Sequence, residues 1–337
     1  MKALVTGGGG SLGGAIVRKL RKLGWDVRSL SRGAYPALEA IGVETFRGDL
    51  ARLQDVERAC DGCDIIFHVA AKADLWGPYQ DFYQANVVGT ENILESARRS
   101  GIARIVFTSS PSVVFNGRDL EGVDESVPYP ARFKSPYPET KAKAEKLVRE
   151  ANSRSLATVA LRPHLIWGPG DTHLVPGILA RGRSFKRIGV GAKLVDFTFI
   201  EDAAEAHLLA ADALQQGSAA AGNAYFISQG EPMDLWDFVN RVLVLGGLPR
   251  ISSSVSPGVA YAVGAMLELL HKGLRIEHEP RITRFLVEEL STAHWFNIGA
   301  ARRDLNYRPS VTMEQGFTLL KAFMSNPPPS FPKPCRP

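Results

Sequence analysis

The stretch TGGGGSLGG, Thr6 to Gly14, decides the fold. It follows an apolar run, KALV (2–5), and leads into AIVRKLRKLG (15–24), whose apolar residues recur at helical spacing. A short strand, a glycine turn and a helix within the first 25 residues predict the opening βα unit of a parallel, doubly wound sheet. Gly7, Gly10 and Gly13 are spaced G-x-x-G-x-x-G. Small residues there let the chain turn tightly, let the backbone approach a pyrophosphate, and let helix and strand pack closely. Ser11 and Leu12 then open a helix whose free N–H groups face an anion.

Outward from this turn the pattern repeats. DVRSLS, VETFRGD, DIIFHVAA, RIVFTSS and TVALRP are further strand-length runs, separated by segments such as VVGTENILESARRSG with 3.6-residue periodicity. Strand alternating with helix predicts a Rossmann-type parallel sheet. VDFTFI (195–200) and AYFIS (224–228) are expected to be further strands of that sheet, with EDAAEAHLLAADAL as the helix between them. After Ser228 the pattern is mainly helical, which predicts a smaller C-terminal substrate lobe. The expected organisation is a dinucleotide domain over 1–163 plus about 193–228, a substrate lobe over about 164–192 plus 229–325, and a Pro-rich tail over 326–337.

Composition excludes several classes. The 337 residues are 45% hydrophobic, enough for a large core. The net charge of +5 comes from scattered cations and not from one basic block, so nucleic acid is not an expected partner. Three cysteines imply a reducing compartment. CDGC (60–63) lacks a second ligand pair, so Cys60 is expected to close a helix and Cys63 to open a strand, and no metal is expected. No charged segment followed by a long apolar run opens the chain, and a cytoplasmic location is expected. Val255 to Leu274 is apolar but broken by Pro and Gly and too short to span a bilayer. A core or interfacial helix is expected there, with contact to a membrane surface or to neighbouring pathway enzymes through about 255–275 as the alternative.

The second strand ends SLSRG. Ser31 stands where an NAD site usually has an acid, and Arg32 follows, which suits a 2′-phosphate; NADP(H) is expected over NAD(H). The alternative for Arg32 is a solvated loop cation. Asp49, with Leu50 after it, follows the third strand at the level of an adenine amino group.

SPYPETKAKAEKLV (135–148) places Tyr137 and Lys141 at i,i+4, on one face of a helix. A nearby ammonium favours a phenolate, which equips Tyr137 as a general acid or base, and a serine hydroxyl at the same oxygen would share developing charge. A lone Tyr-x-x-x-Lys is weak, because such pairs arise by chance in a chain of this composition. The glycine turn, GDL, FHVAA, NVVGTENIL, TSS, YPETK and LRPHLIWGPGD together resemble the extended short-chain dehydrogenase/reductase superfamily over roughly 1–325. The resemblance implies Tyr137 as general acid/base and Lys141 as holder of the nicotinamide ribose that lowers the Tyr pKa. It implies Ser110 as hydroxyl partner, with Ser109 as fallback. Asn86 matches the asparagine that packs behind the lysine, its alternative being an ordinary buried cap. Ala70, Ala71 and Lys72 are placed against the cofactor, and Pro163 near the nicotinamide amide. A homodimer through helices near 81–100 and 138–152 is likewise implied.

Within the superfamily, SRGAYPALEAIGVETFRGDL and ARRDLNYRPSVTMEQGF are most similar to the 3β-hydroxysteroid dehydrogenase branch, and there to bacterial reductases of long-chain olefin synthesis. That likeness implies NADPH-dependent reduction of a β-keto acid bearing long alkyl chains. Trp76, Tyr79, Phe82, Phe115, Trp167, Phe197 and Phe199 are candidates for an apolar substrate wall, or else simply core; His164 and Lys72 are candidate carboxylate partners. Competing expectations are a 3β-hydroxysteroid or sterol-4-carboxylate 3-dehydrogenase, a nucleotide-sugar epimerase or dehydratase, and a nonenzymatic dinucleotide sensor.

Overall fold

A computed structural model describes residues 1–276 and 278–326; the Pro-rich tail from 327 on, with Cys335, lies outside the described residues. The centre is a seven-stranded, wholly parallel sheet: β1 (Lys2–Thr6), β2 (Asp26–Ser31), β3 (Glu44–Arg47), β4 (Ile65–His68), β5 (Arg104–Thr108), β6 (Ala157–Pro163) and β7 (Ala224–Ile227). Its spatial order is 7-6-5-4-1-2-3. The order reverses between β1 and β4, and the carboxyl ends of those strands open the crevice where such sheets bind ligands. β1, β4, β5 and β6 are almost continuously buried, which is why they read as unbroken apolar runs.

Helices α1 (Ser11–Lys22), α2 (Leu53–Cys60), α3 (Gly89–Arg99), α4 (Pro136–Glu150) and α5 (Ile200–Ala213) cover the two faces. A separate apolar core, holding Trp167, Phe197, Phe199, Trp236, Phe238 and Phe317, underlies the second lobe. This lobe is mainly helical, with α6 (Leu235–Leu245), α7 (Pro257–Gly273), α8 (Arg284–Ser291) and the helix Met313–Ser325. Residues from 285 to 307 pack back onto the sheet: Phe285, Phe296, Ile298, Leu305 and Tyr307 join the first core.

One expected strand is absent from the central sheet. Residues 195–200 divide: Leu194–Val195 joins a small four-stranded sheet with Met233–Asp234, His294–Phe296 and Leu120–Val123, while Thr198–Phe199 pairs with Ile166–Trp167. The place beside β6 is filled by β7. Asp196 ties the run to the His294–Phe296 strand: its N–H donates to His294 O (3.1 Å) and its buried carboxylate accepts the Phe296 N–H (2.8 Å). Cys60 closes α2 and Cys63 sits two residues before β4; both are buried and, among the described residues, free of any disulfide, and burial pushes the Cys60 thiol up to about 12.

Candidate active site

The glycine turn is built by close approach. Gly7 takes a left-handed conformation (φ 70°), and a Cβ on it would meet the Ala70 Cα at 3.1 Å. A Cβ at Gly13 would lie 2.2 Å from the Gly7 oxygen, so α1 can dock on the turn only with hydrogen at that position. Thr6 locks the opposite side: its Oγ1 accepts the N–H of both Val69 and Ala70, each at 3.0 Å. The result is a side-chain-free cradle at a helix N-terminus, which fits a dinucleotide pyrophosphate. Two contacts are new to the structure. The Tyr35 ring covers Gly9, where a Cβ would fall 2.3 Å from it. Ser11 Oγ lies 2.9 Å from Thr172 Oγ1 and accepts the Thr172 N–H (3.0 Å), so a second-lobe loop closes on the cradle.

At the adenosine end, β2 terminates in Ser31. Arg32 is exposed, and among the described residues it forms no ion pair. Ser31 stands in register with Arg47 of β3, whose Nε donates to the Arg32 carbonyl (3.2 Å). Two adjacent guanidinium groups therefore border this end. Arg47 carried no signal in the sequence, because only the β2–β3 register brings it there. Asp49 uses one carboxylate oxygen to accept the Ala51 N–H (3.0 Å), and Leu50 packs where Gly89 leaves no room for a side chain.

The chemical end is set by α4. Pro136 occupies its first turn, where the missing N–H costs nothing, and Tyr137 and Lys141 follow one turn apart. Lys141 is buried; its Nζ donates to the Thr108 carbonyl (2.6 Å) and sits 4.0 Å from the centre of the Phe107 ring. Burial lowers the ammonium to about 7, and the Glu145 carboxylate one turn on opposes that shift. Ser110 accepts hydrogen bonds from the N–H (3.2 Å) and hydroxyl (3.0 Å) of Ser112. Its hydroxyl bears on the Tyr137 phenol and draws its pKa down, but burial outweighs this and raises it, with the Glu289 carboxylate adding to the rise. The Lys141 ammonium itself is directed at Thr108 O and the Phe107 face. Ser109 is buried, its N–H donating to Leu161 O (2.6 Å), so Ser110 is the serine beside the phenol.

Asn86 lies in a π-helical turn, Tyr83–Val88. Its Oδ1 accepts the Lys72 N–H (2.8 Å), and its Nδ2 donates to Lys72 O (3.0 Å) and Thr140 Oγ1 (3.0 Å). It therefore pins the Ala71–Lys72 loop to α4 as a positioning residue. The Lys72 ammonium pairs with Asp74 (2.7 Å). Pro163 closes β6 opposite Ile227. A buried ion pair fixes α4 to β6: Arg162 donates to Glu145 at 3.0 and 2.6 Å, and Tyr129 Oη donates to the same carboxylate at 2.5 Å.

The expected substrate residues scatter. Phe115 meets His294 (6.1 Å) and Phe285 (6.0 Å) edge-on. His164 is not a free carboxylate partner, since its Nε2 lies 2.6 Å from His294 Nδ1. His294 Nε2 donates to Glu289 O (2.8 Å). Burial pushes the His164 pKa well below its usual value, so the ring is neutral. Trp76 is half-buried against His271 (5.9 Å). Tyr79 is exposed on the outer face of α4, donating to Glu139 and accepting from Lys143. Phe82 is fully buried, with the Lys72 ammonium 5.1 Å from its ring centre. Trp167, Phe197 and Phe199 are core: Phe197 stacks on Phe238 at 3.9 Å, and Trp167 packs against Phe199, Phe238 and Phe317. Glu289 and His294, which face the site from α8 and the strand after it, were invisible in the sequence because no motif surrounds them.

A dinucleotide cradle at the switch point of a doubly wound sheet, with a half-buried Tyr137, a buried Lys141 and a serine at its chemical end, defines a nicotinamide-dependent oxidoreductase. The chain belongs to the 3-beta hydroxysteroid dehydrogenase/isomerase family, whose sequence profile matches residues 4–255. It is 48% identical to a 2-alkyl-3-oxoalkanoate reductase of Stenotrophomonas maltophilia, covering 96% of this chain and 99% of that one. The same-named protein of Shewanella oneidensis is 46% identical, over 95% of this chain and 85% of its own length. A mouse sterol-4-alpha-carboxylate 3-dehydrogenase, decarboxylating, is 34% identical, covering 93% and 88%. Among solved structures, gox2253 superposes with a TM-score of 0.75 at 27% identity, covering 96% of this chain and 98% of that one. MoeE5 in complex with UDP-glucose and NAD gives 0.74 at 24% identity, over 96% and 99%, and shares the fold.

Proposed function

We propose that this protein reduces a long-chain 2-alkyl-3-oxo acid to the 3-hydroxy acid, using NADPH. The observation that carries the reading is an assembled Ser110, Tyr137 and Lys141 set on a chain 48% identical, over 96% of its length, to a reductase named for that substrate. NADPH is favoured by Arg32 and Arg47, adjacent cations without carboxylate partners among the described residues, at the end of β2 where NAD sites place an acid.

Gly7, Gly10 and Gly13, the α1 N-terminus, Ala70 and Lys141 would hold the cofactor, which supplies the hydride when bound. The protein supplies the proton. Tyr137, raised by burial, keeps its phenolic proton at neutral pH and so stands ready to give it to an oxygen becoming an alkoxide. Ser110, held by Ser112, directs its hydroxyl to the same oxygen. Phe115 and Phe285 meet edge-on at 6.0 Å, and His164, kept neutral by burial, brings no fixed cation for a diphosphate to bind.

A second reading is a sterol-4-carboxylate 3-dehydrogenase, favoured by the mouse relative. In both substrates the reacting carbon lies β to a carboxylate. Initial rates of NADP⁺ and NAD⁺ reduction with a 2-alkyl-3-hydroxy long-chain acid and with a 3β-hydroxysteroid decide between them. Turnover of the hydroxy acid with NADP⁺ supports the proposal; turnover of the steroid alone overturns it.

A further inference from the structure

The glycine turn leaves two bare positions beside the end of β2. A Cβ at Gly8 would lie 2.5 Å from Ser29 Oγ, and one at Gly9 would lie between 2.3 and 2.4 Å from the nearest carbons of the Tyr35 ring. The Gly7 N–H donates to the Leu30 carbonyl (3.0 Å), which holds the turn against β2. Tyr35 comes from the loop that follows this strand. Pro36 disfavours a helical conformation at Tyr35, whose backbone stands at φ −132° and ψ 79°, and opens the single helical turn Pro36–Glu39. The Tyr35 carbonyl accepts the Leu38 N–H (2.9 Å), and the Leu38 side chain is buried in the first core. So anchored, the ring lies across the gap between the glycine turn and the residues that follow β2. At its outer edge the phenolic oxygen stands 3.4 Å from the Cβ position of Gly33, the residue after Arg32. That hydroxyl has no hydrogen-bond partner among the described residues. A ring needed only for packing would be served equally by phenylalanine, which carries no polar atom to satisfy.

We infer that Tyr35 is a specificity-determining residue, whose phenol donates a hydrogen bond to the 2′-phosphate of NADPH. The inference rests on the NADPH reading above and adds a neutral donor to its two cations. In a doubly wound sheet the adenosine ribose lies between the glycine turn and the end of the second strand, with the group on its 2′ oxygen toward the residues after that strand. The Tyr35 ring borders that gap. Its phenolic oxygen, at Gly33, is on the side of Arg32, and Arg47 is tied to the same loop through the Arg32 carbonyl. The acids of this region are engaged elsewhere: Glu39 accepts from Thr45 Oγ1 (2.6 Å), Glu44 pairs with Lys2 and Arg28, and Asp49 accepts the Ala51 N–H. What the loop offers is therefore donors in need of an acceptor. A phosphate dianion supplies one, and its hydrogen bond to a phenol is about twice as strong as that of a ribose hydroxyl. The same seat explains why Gly9 carries no side chain, since any Cβ there would lift the ring from the turn.

The test is the affinity of the full chain for NADPH and for NADH, read by quenching of protein fluorescence in the wild type and in Tyr35→Phe, together with phosphorus NMR spectra of bound NADP⁺. Tyr35→Phe removes one oxygen and keeps the ring. It is expected to lower the ratio of NADPH to NADH affinity roughly tenfold, the loss of one charge-assisted hydrogen bond. The 2′-phosphate resonance should move while the pyrophosphate resonances stay in place, a response that a merely structural role for the ring would not produce. A wild-type ratio in Tyr35→Phe, with NADPH still preferred, overturns the inference and leaves the NADPH reading standing. Wild-type protein that binds both cofactors alike overturns that reading and the inference with it. An equal loss of affinity for both cofactors assigns the phenol to a part they share and equally overturns the proposed contact.

Discussion

Glu145→Gln tests how the fold holds its chemistry in place. Glu145 and Arg162 are both essentially excluded from solvent, and the carboxylate accepts two hydrogen bonds from the guanidinium and one from Tyr129. Among the described residues, Arg162 Nη1 is already without a partner. The amide keeps the shape of the side chain but aims an N–H₂ group at donors and leaves a buried cation uncompensated, which costs about 3–5 kcal/mol. That is a large fraction of the roughly 5–15 kcal/mol that keeps a domain folded. There is a second effect on the site. The Glu145 charge, one turn after Lys141, works against the burial that brings the ammonium to about 7. Without it the Lys141 pKa falls further, and the alkaline limb of the kcat/KM profile moves to lower pH. Urea denaturation and a pH–rate profile read the two effects separately, and Glu145→Met/Arg162→Met, which removes both charges, should recover most of the lost stability. A loss below about 1 kcal/mol with an unmoved alkaline limb would refute the reasoning, since a buried, catalytically coupled ion pair permits neither.

Arg32→Ser is expected to reduce kcat/KM for NADPH by about tenfold to a hundredfold, the loss of one or two charge-assisted hydrogen bonds, with NADH unaffected; paired initial rates check it, and an equal loss with both cofactors would deny the 2′-phosphate contact. Asp196 gives a pH signature of stability. Burial raises its carboxyl to about 6, so the folded state holds the proton more tightly than the unfolded chain; this contribution is complete below the ordinary value of 3.8 and is lost as pH rises through about 6. The difference corresponds to roughly 3 kcal/mol. Asp196→Asn should flatten that fall while keeping an acceptor for the Phe296 N–H, so that urea midpoints of variant and wild type diverge in favour of the variant as pH rises from about 4 to about 6 and keep that separation above it.

The nucleotide half of the molecule was legible because its constraints are local. Gly13 is demanded by an oxygen six residues away, and Tyr137 and Lys141 share a helix face whatever surrounds them. The second half depends on long-range packing. Residues 195–200 alternate as a strand should, yet the sheet position they suit goes to β7, and Asp196 turns them aside. Trp167 and Phe197 resemble a substrate wall in composition, but α6 and the Met313–Ser325 helix cover them, which only the tertiary fold reveals. The aim of the Lys141 ammonium depends on packing in the same way. Spacing places Lys141 on the correct face, but the direction of its ammonium is set by Thr108 and Phe107, from a strand about thirty residues earlier.

The most direct test of the catalytic account is the single-turnover rate of 2-alkyl-3-oxo acid reduction by Tyr137→Phe at saturating NADPH, with cofactor affinity measured on the same preparation. A proton donor held beside the carbonyl oxygen contributes about 10²–10⁴-fold, so the rate should fall by that factor with the cofactor dissociation constant unchanged. A Tyr137→Phe protein that reduces the acid as fast as the wild type would contradict it.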